Sequence, residues 1–162
     1  DSILPEFEQE MANTRKVLER VPDDKLGWKP HPKSNTIGWN ANHLAEIVNW
    51  VEGTFAAPEW DIGLEGTEAY QSPTLESRDE ILALFDKGVS DARRTIEAAT
   101  EEAVAEMWSL KDNGKTLIEV PRGVAVRTFI LNHTIHHRAI LCVYLRMNDV
   151  PVPGMYGPSG EE

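Results

Sequence analysis

The sequence predicts an all-α fold: a four-helix bundle with one long crossover connection and a small hairpin excursion before the last helix. Three observations carry that expectation. Four stretches repeat apolar residues every three or four positions, the period of a helix with one buried face. A stretch rich in Gly, Pro and acidic residues, from Pro58 to about Glu76, has no sustained period and separates the second stretch from the third. Asn113-Gly114, a pair that tolerates positive φ and favours a tight hairpin turn, precedes the last. At 162 residues the chain is expected to form one domain over 1–162, long enough to build a core without staples.

The first helix is read from Asp1 to about Arg20, with Leu4, Phe7, Met11, Thr14 and Leu18 inward and Glu6, Glu8, Gln9, Asn13 and Lys16 outward. Pro22 and the run Lys29-Pro30-His31-Pro32-Lys33 break it, because proline lacks an amide proton and restricts its predecessor. A second helix is expected from near Thr36 to about Ala57, on the stripe Ile37, Ala41, Leu44, Val48, Val51 and Phe55. Ser77 and Glu80 have the spacing of a capping box and open a third helix that turns Ile81, Leu84, Phe85, Val89, Ala92 and Ile96 inward. Thr100-Glu101-Glu102 caps a short fourth piece ending near Trp108. After the hairpin, Pro121 suits the first turn of the last long helix, which runs to about Met147 before Pro151 and Pro153 stop it.

Charge excludes one class of function. With 27 acidic and 16 basic residues the net charge is −11, and counterion release from a phosphate backbone needs a basic face. No nucleic-acid partner is expected. No apolar run approaches a bilayer's thickness and no signal-peptide pattern opens the chain, so no membrane partner and a cytoplasmic location are the default expectations. The opening Asp1-Ser2-Ile3-Leu4 has no initiator Met, so residues before Asp1 are expected. The single cysteine, Cys142, rules out an intrachain disulfide or a cysteine-based zinc site and is read as a plain buried thiol.

The chemistry lies in the histidines. On the last helix an inward seam of Val126, Ile130, His133, His137, Ile140 and Tyr144 places two imidazoles where apolar side chains belong. Residues four apart stack on one face, within reach of a shared ion. A buried neutral imidazole needs partners for both ring nitrogens, and a divalent metal accepts one lone pair from each ring. The bland alternative is a pair of hydrogen-bonded core histidines. A third ligand must come from another helix, and His43, beside the Leu44-Val48 face of the second helix, is the candidate. Three imidazoles and a water make an open zinc site, and nickel also suits imidazole.

Around these, His31 is read as a loop residue and His136 as a contact beside the ligands or at a dimer face. Glu46, one turn after His43, is a candidate catalytic residue, orienting an imidazole or acting as a base; its alternative is a solvated carboxylate on a helix face. Arg138 is a carboxylate-recognition candidate, with an ion pair to a neighbouring helix as the alternative. Trp39, Trp50 and Tyr144 are candidates for lining a pocket near the metal.

These motifs resemble those of the DinB-like family of metal-dependent enzymes, related to the YfiT-type thiol transferases. The resemblance spans almost the whole chain. It rests on Leu4-Pro5-Glu6-Phe7 with Thr14-Arg15, on Trp28-Lys29-Pro30-His31-Pro32-Lys33-Ser34, on His43-Leu44-Ala45-Glu46, and on Asn132-His133-Thr134-Ile135-His136-His137-Arg138. Tyr144-Leu145-Arg146 and a tail of Val150-Pro151-Val152-Pro153 with Tyr156-Gly157-Pro158-Ser159 complete it. It implies a dimeric bundle whose nickel or zinc is held by His43, His133 and His137, and a possible activity as a thiol S-transferase acting on a small-molecule substrate with a low-molecular-weight thiol. Metal-assisted hydrolysis and a non-catalytic metal-binding stress-response role are the alternatives. Ala139 departs from the family's usual glycine, a change expected to alter packing slightly and spare the metal.

Overall fold

Helical periodicity produces four long helices in the computed structural model, which describes residues 3–63 and 71–161. They are α1 (Ile3–Leu18), α2 (Ile37–Ile47), α4 (Arg78–Ala98) and α7 (Asn132–Arg146). Helix α1 packs on α4 and α7, and α2 packs on the same two, so the four close a ring around one apolar core. Phe7, Met11, Leu18, Ile37, Leu44, Phe85, Leu141 and Leu145 are buried there. Where α4 crosses beside Val48 and Asn49, a Cβ at Gly88 would stand 2.6 Å from the valine methyl, so only glycine allows that approach.

Two of the helix caps, at Ser77 and Thr100, are those the sequence predicts, and a third forms at Thr36. Thr36 accepts from the Trp39 amide at 3.0 Å and Thr100 from the Ala103 amide at 3.1 Å. Ser77 accepts from the Glu80 amide at 3.3 Å, and its hydroxyl donates to the Glu80 carboxylate at 2.8 Å.

The all-α expectation is overturned by a three-stranded mixed sheet. Strand β1 (Glu59–Asp61) runs parallel to β2 (Met107–Asp112), which pairs antiparallel with β3 (Lys115–Pro121). The expected hairpin is its right-hand half, and its turn has positive φ at Asn113 (49°) and Gly114 (74°). Strand β1 falls inside the stretch read as a surface connection; three residues are too few to show an alternation. Its Asp61 carboxylate accepts from the Gly114 amide at 2.7 Å, tying it to the hairpin tip. The short α5 (Glu101–Ala105) accordingly ends before Trp108, which lies in β2 and is buried in a second, smaller core with Leu110 and Ala125. Residues 64–70 of the expected connection lie outside the described residues, as do Asp1, Ser2 and Glu162.

Two boundaries and one facing are also corrected. The second helix divides into α2 and α3 (Trp50–Ala56), where the Asn49 amide side chain donates back to the Ala45 carbonyl at 3.0 Å. Asn13, read as outward, is buried on α1 beside Glu10. The last helix is not one regular α-helix: α6 (Arg122–Ala125) leads into a π-turn over Val126–Leu131 before α7. A π-turn takes up one extra residue, so the buried seam passes from Val126 and Ile130 to Thr134, Arg138, Leu141 and Leu145. His133 and His137 therefore sit at the edge of the seam, half-buried and turned toward α2.

Candidate metal centre

Three of the five histidines meet between α2 and α7. Nε2 of His133 lies 3.3 Å from Nε2 of His43 and 3.0 Å from Nε2 of His137. The structure thus brings together the three imidazoles the sequence selected, in a group that can bind a metal ion, all ligand atoms lying within 4.8 Å of one another.

The opposite side of each ring is tied. His43 Nδ1 lies 2.5 Å from Glu46 Oε1, one helical turn along α2. His137 Nδ1 lies 3.2 Å from Asn40 Oδ1, and that amide is oriented by its own Nδ2 donating to the Thr36 carbonyl at 2.8 Å. The His133 ring bonds the backbone of Phe129, within the π-turn. A carboxylate and an amide oxygen accept only, so Nδ1 carries the proton on His43 and His137. Their Nε2 lone pairs then face His133 at contact distance. Crowded lone pairs repel, and a cation among them is what this donor set fits.

Electrostatics points the same way. Burial pushes the His137 imidazole down to about 3, with the neighbouring His43 and His133 adding to the effect. Burial first and His43 second also lower His133. Both rings are thereby held in the neutral form that ligates.

Aromatic rings enclose the cluster. Trp39 stacks on His43 at 4.6 Å between centroids, and its edge meets His137 at 5.5 Å. Trp50 meets His43 at 5.7 Å and His133 at 5.6 Å. Tyr144 does not join them; it packs against Trp28 at 5.7 Å, further along α7. His136 is exposed beside His137, at 4.9 Å between centroids, and His31 accepts the Lys33 amide in its loop. Arg138 is spent on an ion pair, 2.6 Å from Glu10 of α1.

Sequence reasoning missed Asn40, Ser72 and the Phe129 backbone. Asn40 precedes His43 by three residues, so helical spacing could have found it. Ser72, whose hydroxyl donates to Glu46 Oε1 at 2.8 Å, sits in an aperiodic segment with no such signal.

Residues 6–141 match the family model of the DinB superfamily. The chain belongs to the DinB superfamily. An uncharacterized protein of Bacillus subtilis strain 168, YrdA, is 26% identical over 170 aligned positions covering all of this DinB chain and 90% of its own length. Two solved DinB-like proteins share the fold. One, from Bacillus cereus ATCC 10987, has a TM-score of 0.72 at 22% identity, covering 95% of each chain. The other, YjoA from B. subtilis, has a TM-score of 0.70 at 16% identity, covering 96% of this chain and 98% of that one. Among the described residues of this DinB protein, no helix is long and apolar enough to cross a membrane.

Proposed function

We propose that this DinB protein is a metal-dependent enzyme that holds one divalent ion, nickel or zinc, on His43, His133 and His137, and that it transfers a low-molecular-weight thiol to a carbon electrophile. The observation that carries the reading is the convergence of three Nε2 atoms whose rings are each fixed from behind. A divalent ion on three neutral imidazoles supplies Lewis acidity, lowering the pKa of a thiol or water at its remaining position.

The chain's own residues prepare the rest. Glu46 holds the His43 ring with Nδ1 protonated and its lone pair directed inward; Asn40 does the same for His137. Trp39 and Trp50 keep bulk water from the rings' flanks. Cys142 stands outside the cluster, with burial pushing its thiol up, so the reacting sulfur belongs to a substrate. In the transfer, the sulfur's electron pair forms the new C–S bond and the leaving group departs with its own bonding pair. The thiol proton is released to solvent.

A panel of small thiols with an electrophilic reporter tests this on metal-replete protein and on the His43→Ala variant. Turnover that requires both thiol and ion, and that falls at least about a hundredfold in the variant, is expected. Turnover without thiol would make the same site a hydrolase. Metal bound at full stoichiometry with no turnover of any reporter would leave a non-catalytic metal-binding module.

A further inference from the structure

A cavity of about 540 Å³ opens beside the histidine cluster, bounded by α3, α4 and β1. Its lining is mostly apolar and includes Trp50, Trp60, Leu84 and Pro73. Trp50 and Trp60 meet edge to face at 5.8 Å. Small residues of α3 keep the space open, and a Cβ at Gly53 would meet nothing within 4 Å. Among the described residues of the lining, Glu46 and Glu59 carry charge and none is Lys or Arg. Glu59 is matched from outside by Lys111 at 2.5 Å. Two side chains belong to both places. Glu46 lines the cavity and holds His43; Trp50 lines it and touches His43 and His133.

We propose that this cavity is the substrate pocket of the metal centre and that it takes a flat, uncharged apolar group, most simply an aromatic ring system bearing the reactive carbon. The assignment rests on the metal-dependent reading above and adds the chemical class of the acceptor. The volume is that of a small-molecule site, and apolar walls with a few placed polar groups are the usual composition of one. Indole edges and faces favour a planar aromatic guest over a branched aliphatic one of equal volume. Glu46 and Glu59 repel an anion, and the described lining offers no Lys or Arg to offset its desolvation. A guest touching Glu46 and Trp50 is one side chain away from the ligand imidazoles.

The test uses two fluorophores that share their rings and differ in charge: neutral N-phenyl-1-naphthylamine and its sulfonated analogue 1-anilinonaphthalene-8-sulfonate. Each is titrated into wild-type protein, metal-free and loaded with Co(II), and into Gly53→Leu. Leucine fills the open space at Gly53 and is the better helix former, so folding is not at risk. Trp60→Ala serves as a second variant, removing wall instead of volume. Saturable one-to-one binding of the neutral dye is expected, about tenfold weaker for the sulfonate and about tenfold weaker in Gly53→Leu, with Co(II) stoichiometry unchanged. Binding of the neutral dye should also shift the visible Co(II) spectrum through Glu46 and Trp50. Absence of saturable binding, equal affinity for the sulfonate, indifference to both substitutions, or an unmoved Co(II) spectrum would each overturn the proposal while the metal site stands. Dye binding to a protein that takes up no Co(II) when the ion is offered in excess would instead remove the metal reading, and the substrate assignment with it.

Discussion

Replacing Glu10 with alanine would leave the Arg138 guanidinium buried without its carboxylate. Arg138 is 3% exposed, and it donates to the Glu10 carboxylate at 2.6 Å, the Glu10 carbonyl at 2.9 Å and the Thr14 hydroxyl at 3.1 Å. Tyr156 of the C-terminal tail donates its phenol proton to the same carboxylate, at 2.7 Å from Oε2, and accepts from Arg138 at 2.7 Å. Breaking a buried pair from one side costs about 3–5 kcal/mol. A domain of this size is stable by about 5–15 kcal/mol in total. At roughly 2–4 °C per kcal/mol the loss amounts to about 6–20 °C in Tm.

Arg138→Ala should cost less, because an abandoned carboxyl can neutralise itself by taking a proton and a guanidinium cannot. Replacing both residues with methionine should recover most of the loss, since apolar packing serves where an unpaired charge does not. Urea and thermal denaturation of the metal-free forms measure the four corners of the cycle made by wild type, Glu10→Ala, Arg138→Ala and the double alanine variant, with the double methionine variant beside them. Arg138 immediately follows His137, so the pair also holds α7 at the rotation that aims the imidazoles. Glu10→Ala should therefore weaken metal binding as well as stability, although no atom of Glu10 is in the cluster. A loss below about 1 kcal/mol with no coupling in the cycle would refute the reasoning, because it would mean that the guanidinium finds water instead of carboxylate.

Tag-free purified protein should carry about one divalent ion per chain, absent from His133→Ala; elemental analysis finding no ion in wild type would sink the metal reading. Glu46→Gln should weaken metal affinity about 10–100-fold, read by chelator competition, since the His43 ring loses its charged partner; an unchanged Kd would show that Glu46 does not position the ring. Metal-free protein should lose stability as pH falls. His137 is lowered to about 3 in the fold, whereas the unfolded chain takes up its proton near ~6.5, so the unfolded state binds more protons between those values. Melting of wild type and His137→Gln across that range checks the sign, and an equal acid slope in both would contradict it. We propose that two copies pair through Val143 of α7 and Met147 just beyond it, which are 57% and 56% exposed; sedimentation of Val143→Glu should then give monomer, and a monomeric wild type would end the idea.

The depth of the histidines shows where sequence reasoning reaches and where it stops. Spacing four apart put His133 and His137 on one face, and a neighbouring helix supplied His43; composition and period suffice for that. Their depth does not follow from period alone. An unbroken α-helix from Val126 would bury positions 133, 137, 140 and 144, with Arg138 rotated outward. The π-turn at Val126–Leu131 adds one residue, about 100° of rotation, and moves the buried seam to Thr134, Arg138, Leu141 and Leu145. Nothing in the local pattern announces such a turn. It is settled by partners distant in sequence: Phe129 stacked on Trp50 at 5.2 Å, and Arg138 drawn to Glu10. Strand β1 escaped notice for the same reason, since three residues become a strand only when β2 lies beside them. The displaced seam has a chemical consequence. With the seam displaced, the imidazoles stand at the edge of the helical ring, one side chain from the cavity that Glu46 and Trp50 line, where the proposed substrate pocket can serve them.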